Sequence, residues 1–499
     1  MIKNNILLLV LLLAQTPLMA QKQVLAIPFE FERGSDRNKE YTTYYLADKT
    51  GETSVLVLKD NVKISYILFD KNLKIIKRID KADLAGSGFD IDGAGICGGS
   101  ATGNIYNFAF TNYTERERKF SWCTVDFNNK KVSVKSAFSK LNAGEKDLVI
   151  FSHQGSVYFL TAIDGSHQVK LRMILPDGMT LEKEFDFPIP SYIDSKVTVS
   201  HYLSDAMYVG DDASLTMPQA KYLTKVYVQD GKVVIVANWN CRPNHVFTIN
   251  PKDFTAKSQL LNPFPQVLVW STKTPLINGV LLDNKIFSFI SYKDKFQLSV
   301  HDLASEKLLK FIEIDKDFSP DNFSEPVMSA TKSGKGLTQS EVKKWDKEFK
   351  NTFDGDQAMI VRKNPAGYYE MTFGIHRSVP TSYGGGPAFD YTYRFQTVNG
   401  TTYRTPTLTP NASQGPMKMT YDADHYKQVR FRLDLDVNTL EILKGPKKPP
   451  VEENADLRHY LDKVRLDKLM PGQFAMNGKD YVSYYDRDNK QYIIEEAIK

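Results

Sequence analysis

Cysteine is scarce in this 499-residue chain, which has only Cys97, Cys123 and Cys241. So small and odd a count excludes a full disulfide framework and leaves room for one bridge at most, with Cys97 and Cys123 the nearer pair. Trp is scarce too, at 4 residues against 26 Tyr and 29 Phe. Beyond residue 20 no apolar run approaches the ~18 consecutive residues that a membrane helix needs. An excess of one charge is also missing. The 64 basic and 59 acidic residues leave a formal charge of +5, so nothing electrostatic points to a nucleic-acid partner. The chain has no G-x-S-x-G, H-E-x-x-H or C-x-x-C, which removes the usual serine elbow and the common linear zinc patterns. No metal and no cofactor is expected.

Three near-misses are read the same way. Gly93-Ala-Gly95-Ile-Cys-Gly98 satisfies G-x-G-x-x-G, but no helix opens behind it to aim amides at a phosphate, so it reads as a tight turn. Asp486-Arg-Asp488-Asn489 begins like a calcium loop but has Gln491 and Ala497 where the glycine and the glutamate belong, so it reads as a hairpin turn. Asp434, Asp436 and Asn438 alternate along one predicted strand and read as an exposed polar edge.

What is present starts with an address. Lys3 supplies a positive charge, Ile6–Leu13 an apolar run of eight residues, and Ala14–Ala20 a stretch ending in small residues. That run is too short to span a bilayer, and residues 1–20 read as a secretory leader cut before Gln21. The expected location is therefore periplasmic or cell-surface. Sparse cysteine in a long exported chain fits a bacterial envelope, where a large core replaces disulfides.

The rest of the chain repeats one pattern. A short alternating run ends at an Asp or Asn, two to four polar residues follow, and a second alternating run begins. The seven markers are Asp70, Asp126, Asp177, Asn250, Asp302, Asp436 and Asp486. Period-2 alternation makes each run a strand with one buried face. The Asp or Asn side chain accepts from backbone two residues on and starts the turn. The marker spacings are 56, 51, 73, 52, 134 and 50 residues. Most lie near fifty, the length of a four-stranded sheet with its loops, and repeats of that size argue for radial stacking of small sheets.

On these hairpins the chain resembles the divergent β-propellers of exported bacterial proteins over most of residues 40–495. It lacks the WD dipeptide, the kelch Gly-Gly pattern and the Ser-x-Asp box of sialidase-like propellers. The resemblance implies an all-β fold, a β-propeller of six or seven four-stranded blades with two short helical insertions. Blades occupy 21–444 with an insertion at about 318–426. Residues 445–499 supply the linker Gly445–Pro450, a short helix and the closing strands. The helices are expected at Thr338–Lys350, where Thr338 and Glu341 have capping-box spacing, and at about Ala455–Met470, ended by Pro471. Ser200–Pro218 and Ser378–Met419 read as polar, irregular insertions.

Two stretches carry the candidate site. Trp239, Arg242 and His245 stand in a connection between strands, where an indole beside planar polar groups suits sugar or peptide recognition. His376 and Arg377, with Tyr383 and Asp390 across a run of glycines, could bring charge or proton transfer to a ligand. The first reading of function is an envelope-associated binding or scaffolding protein whose partner is an envelope protein or a glycan. The second is a hydrolase or lyase acting on polysaccharide or peptide at the propeller centre, marked by paired carboxylates converging there.

Overall fold

The computed structural model describes residues 22–30, 42–48, 50–60, 63–81, 94–113, 118–138, 144–163, 165–191, 193, 196–210, 217–238, 244–262, 277–292, 295–333, 336–342, 356–381, 389–398, 401–410, 420–444, 469–476, 479–486 and 488–496. Residues 1–20, expected to be a leader, the Gly445–Pro450 stretch and residues 455–468 of the second expected helix lie outside them. The chain divides into two compact units: residues 1–140 with 454–499, and residues 141–453.

The first unit holds three four-stranded antiparallel sheets. Two run in simple sequence order, within residues 42–81 and 94–138. In the third, the early strand Lys22–Pro28 pairs with Gln491–Glu496, which is followed by Lys479–Asp486 and Leu469–Met476. The N-terminal strand thus completes a sheet built from the C-terminal end. Tyr45 stacks on Phe474 at 4.0 Å and fastens that sheet to the one beginning at Thr42.

Among the described residues the second unit holds four larger sheets and the two-stranded ribbon of Phe389–Val398 with Thr401–Pro410. Those within 145–186, 207–261 and 277–314 keep sequence order, and the second of these gains a parallel edge strand, Met207–Tyr208. The last sheet has the order Gly336–Glu341, Met328–Ser333, Thr420–Asp436, Tyr368–Thr381, Asp356–Asn364. Sheets of four or five strands following one another in this up-and-down order make the fold a β-propeller. Apolar faces pack between successive sheets. Phe289, Phe296, Phe373 and Phe431 interlock, with Phe296 and Phe431 centroids 5.0 Å apart in edge-to-face contact.

All seven markers start hairpin turns. Each side-chain Oδ1 accepts from the backbone N–H two residues on, or three on at Asp302, over 2.7–3.1 Å. Five turns then place a residue with positive φ four positions after the marker: Lys130, Phe254, Glu306, Leu440 and Lys490. None is glycine, so the turn geometry is carried by the Asp or Asn hydrogen bonds rather than by a permissive residue.

Several expectations are corrected. Thr338 and Glu341 lie in the strand Gly336–Glu341, which pairs with Met328–Ser333, while 343–350 lie outside the described residues. Cross-strand pairing there overrides the capping-box spacing. Met470 and Pro471 fall within the edge strand Leu469–Met476, at a register break where a missing N–H costs no ladder bond. Residues 378–419 are not irregular throughout: one strand continues to Thr381, and Phe389–Val398 pairs with Thr401–Pro410. The glycines at 95 and 98 lie in the bulged strand Ala94–Thr102 and not in a turn. Cys97 and Cys123 are buried and not bridged to each other, because the strand Ile105–Tyr113 separates their strands. Asp434 is buried, since its strand has neighbours on both sides.

Candidate functional site

Of the sequence-derived candidates, Trp239, Arg242 and Tyr383 lie outside the described residues. His245 is not in the connection but in the strand Asn244–Asn250, wholly buried. Its Nε2 is 2.8 Å from Ser258 Oγ and its ring lies 4.8 Å from Phe187. Burial pulls its pKa down to about 4, so it is a neutral packing residue near pH 7. His376 is buried in the strand Tyr368–Thr381, opposite Asp356 and Gln428, and Arg377 follows it on that strand. Asp390 is on the separate ribbon Phe389–Val398. The two candidate groups therefore stand on different sheets.

A buried polar junction in the second unit is made by residues that no motif flagged. Segment 199–222, which contains the Ser200–Pro218 stretch expected to be polar and irregular, buries Val199, Tyr202, Leu203, Met207, Tyr208, Met217 and Ala220. Its helical turn Met217–Ala220 packs on the strand Asp356–Asn364. Met207, Met217, Ala220, Ala358 and Ile360 form one apolar cluster. Beside it, Lys225 Nζ donates to Tyr222 O at 2.7 Å and to Asn278 Oδ1 at 2.8 Å. Asn278 Nδ2 donates to Ala220 O at 2.8 Å and to Gln357 O at 3.0 Å. Lys225 and Asn278 are both wholly buried, and burial pulls the lysine down to about 7. One asparagine thus joins strands of three sheets, Thr224–Gln229, Ile277–Leu282 and Asp356–Asn364, and the carbonyl end of the helical turn.

Residues 239–243 lie outside the described residues. Asn238 and Asn244, on either side of them, are buried, and each has its amide nitrogen bonded, to Leu223 O at 3.0 Å and Ser288 Oγ at 2.7 Å. Both amides approach Gly279, where a Cβ would meet their Oδ1 atoms at 2.9 and 2.8 Å. Only glycine fits between them.

A second polar cluster lies on the sheet within 145–186. Glu145 accepts from Arg172 at 2.7 and 3.0 Å, and Glu182 accepts from Arg172 Nε at 2.7 Å and sits 2.8 Å from Lys170 Nζ. Glu184 lies 3.2 Å from the same ammonium. Arg172 and Glu145 side chains are each 1% exposed. A shallow cavity of about 290 Å³ lined by Lys170, Glu182, Lys183 and Glu184 opens beside them. Burial alone would raise the Glu182 carboxyl; hydrogen bonds from Lys170 and Arg172 outweigh it and hold the group below its ordinary value. A carboxylate held ionised in this way is unsuited to general-acid work at neutral pH. A third cluster, on the last sheet, sets Arg432 2.7 Å from Glu370 and 3.4 Å from Asp434, with Glu325 3.5 Å from Arg430. Among the described residues no three of His, Cys, Asp and Glu gather as a metal-ligand set.

No protein-family model matches the chain, and no curated protein matches it. Solved structures do. The AfRom2 CNH domain is similar over 96% of this chain and 99% of its own, at 6% identity and a TM-score of 0.30. The β-propeller domain of the Trilobed protease from Pyrococcus furiosus is similar over 81% and 94%, at 7% identity and a TM-score of 0.27. Prolyl oligopeptidase B from Galerina marginata is similar over 67% of this chain and 46% of its own, at 11% identity and a TM-score of 0.28. Likenesses this distant say nothing of function, and the propeller assignment rests on strand order within the sheets.

Proposed function

We propose that this β-propeller is an exported, envelope-associated binding or scaffolding protein, and that its partner, a glycan or an envelope protein, is met by the 239–243 connection. The observation that supports this reading is the filled junction where three of the second unit's sheets meet. Apolar residues of segment 199–222 and the Asn278 hydrogen bonds fill the space between the strands Thr224–Gln229, Ile277–Leu282 and Asp356–Asn364, whereas a catalytic site would need converging carboxylates and room for substrate. The carboxylates of the 145–186 sheet are engaged by Arg172 and Lys170, which works against the hydrolase reading. Buried Asn238 and Asn244 hold both ends of the connection, so Trp239 and Arg242 would be presented from a fixed base.

The deciding experiment is capture from native envelope with the purified protein, beside a Trp239→Ala/Arg242→Ala variant of equal melting temperature. A partner or glycan held by the parent and lost by the variant supports the proposal. Equal capture by both proteins overturns the role of the connection. Turnover of a polysaccharide or peptide by the parent overturns the non-enzymatic reading.

A further inference from the structure

The environment of Lys225 is unusual for a lysine. The side chain is wholly buried in the strand Thr224–Gln229. It has two acceptors, Tyr222 O and Asn278 Oδ1. A neutral amine carries two hydrogens and matches them one to one. An ammonium carries three, and its third has no acceptor among the described residues. Asn278 is in the same position: its Oδ1 accepts from Lys225, and its two amide hydrogens go to Ala220 O and Gln357 O. The neutral amine leaves only its lone pair unmatched, whereas the ammonium would bury an uncompensated charge.

The surroundings carry no balancing charge. On its own strand the other titratable group is Tyr227, and Tyr222 and Lys221 precede it. Lys221 is paired with Asp356, at the start of the strand Asp356–Asn364, at 3.4 Å. That strand's cations, Arg362 and Lys363, stand at its far end, where Lys363 pairs with Asp283 at 2.7 Å. The neighbouring strand Lys232–Ala237 starts with the exposed Lys232, and Met207–Tyr208 contributes only Tyr208. The strand Ile277–Leu282 and the helical turn Met217–Ala220 have no ionisable side chain. Burial lowers the Lys225 pKa, and the two oxygens that face the amine are neutral.

We propose that Lys225 is the uncharged bolt of a proton-operated latch. Neutral, it ties segment 217–222 to strands of the sheets; proton uptake on its amine accompanies release of that segment. Two of the segment's attachments, at Ala220 O and Tyr222 O, run through Asn278 and Lys225, beside the packing of Met217 and Ala220 and the Lys221–Asp356 pair. The direction follows from linkage. Held in place, the amine titrates at about 7, and once freed into water it returns to 10.5. The released state therefore binds one more proton between those values. Release should grow about tenfold for each pH unit descended through that window and level off below it. This inference is independent of which ligand the protein binds.

The test is made on the full-length protein. Nitrogen-15 and carbon-13 NMR follows the Lys225 amine directly, and hydrogen exchange, corrected for the intrinsic pH dependence, follows the amides of 217–226. The expected result is a Lys225 amine that titrates near neutral pH, apart from the other lysines. Protection over 217–226 should rise about tenfold per unit from pH 7 to 9 in the parent and stay level in Lys225→Met. A Lys225 amine titrating with the exposed lysines above pH 10 overturns the proposal. So does protection that does not change with pH, or an unchanged dependence in Lys225→Met. Should that variant fail to fold, the NMR titration of the parent protein decides alone.

Discussion

The second unit buries two long basic side chains in opposite ways. Arg172, with Lys170 beside it, meets Glu145, Glu182 and Glu184, each within hydrogen-bonding or ion-pair distance. Burial works to lower the Lys170 ammonium, but bonds from Glu182 and Glu184 hold it above the ordinary lysine value. Lys225 meets two neutral oxygens, and burial pulls it down to about 7. Solvent access differs, since Glu182 and Glu184 are partly exposed and Lys225 is wholly buried. Partner charge differs as well: a carboxylate stabilises the ammonium far more than a neutral carbonyl oxygen does. The first cluster is a set of fixed charges, and the second is a hydrogen-bond junction whose charge depends on pH.

The largest effect that would break this contrast comes from Arg172→Met. It leaves the buried Glu145 carboxylate with only Lys170, 3.7 Å away, and should cost about 3 kcal/mol in urea unfolding. Lys225→Met should cost no more than about 2 kcal/mol at neutral pH, since it strands only Tyr222 O and Asn278 Oδ1. Equal losses for the two variants would mean that Lys225 is charged in the native protein. Asn278→Ala falls between them at about 2–3 kcal/mol, because it leaves the amine and two buried carbonyls short of partners.

Stability against pH sharpens the same comparison. His245 has a native pKa lowered to about 4 by burial against an ordinary 6.5. Its contribution is complete above 6.5 and is lost as pH falls toward 4, because the unfolded chain binds the proton first. Lys225 acts in the same direction between 7 and 10.5. The parent should therefore gain stability from pH 7 to 9, and Lys225→Met should not. A denaturation midpoint that is flat over that range in both proteins would contradict the neutral amine. The smallest effect belongs to the turns. Lys130→Gly relieves a positive φ at an exposed position and should stabilise by up to about 1 kcal/mol.

The turns were the most legible part of the sequence. An Asp or Asn closing an alternating run acts within a few residues of itself, so local chemistry suffices, and all seven markers form the bonds that their positions imply. The five non-glycine residues with positive φ were not legible, because nothing in Lys130 or Phe254 announces a left-handed backbone. Helix signals failed at Thr338–Glu341, where spacing that suits a capping box also suits a strand, and a pairing partner decided between them.

The site was less legible still. Trp239, Arg242, His245, His376, Arg377, Tyr383 and Asp390 were chosen for residue type, and type does not report burial. His245 proved to be a neutral packing residue for that reason. The useful signals lay beside them. Asn238 and Asn244 flank the connection, and a Lys at 225 breaks an otherwise apolar strand, yet neither reads as special without the strand from 277 laid against it.

The sequence alone determined the strands, their turns and their repeat length, because alternation and Asx hydrogen bonding are short-range. Only tertiary structure decided which polar residues became buried partners. Asn278 bonds Ala220, Lys225 and Gln357 across 58, 53 and 79 positions. Such meetings are set by how sheets stack, and that stacking decides whether a lysine finds a carboxylate, as Lys170 does, or only neutral oxygens, as Lys225 does.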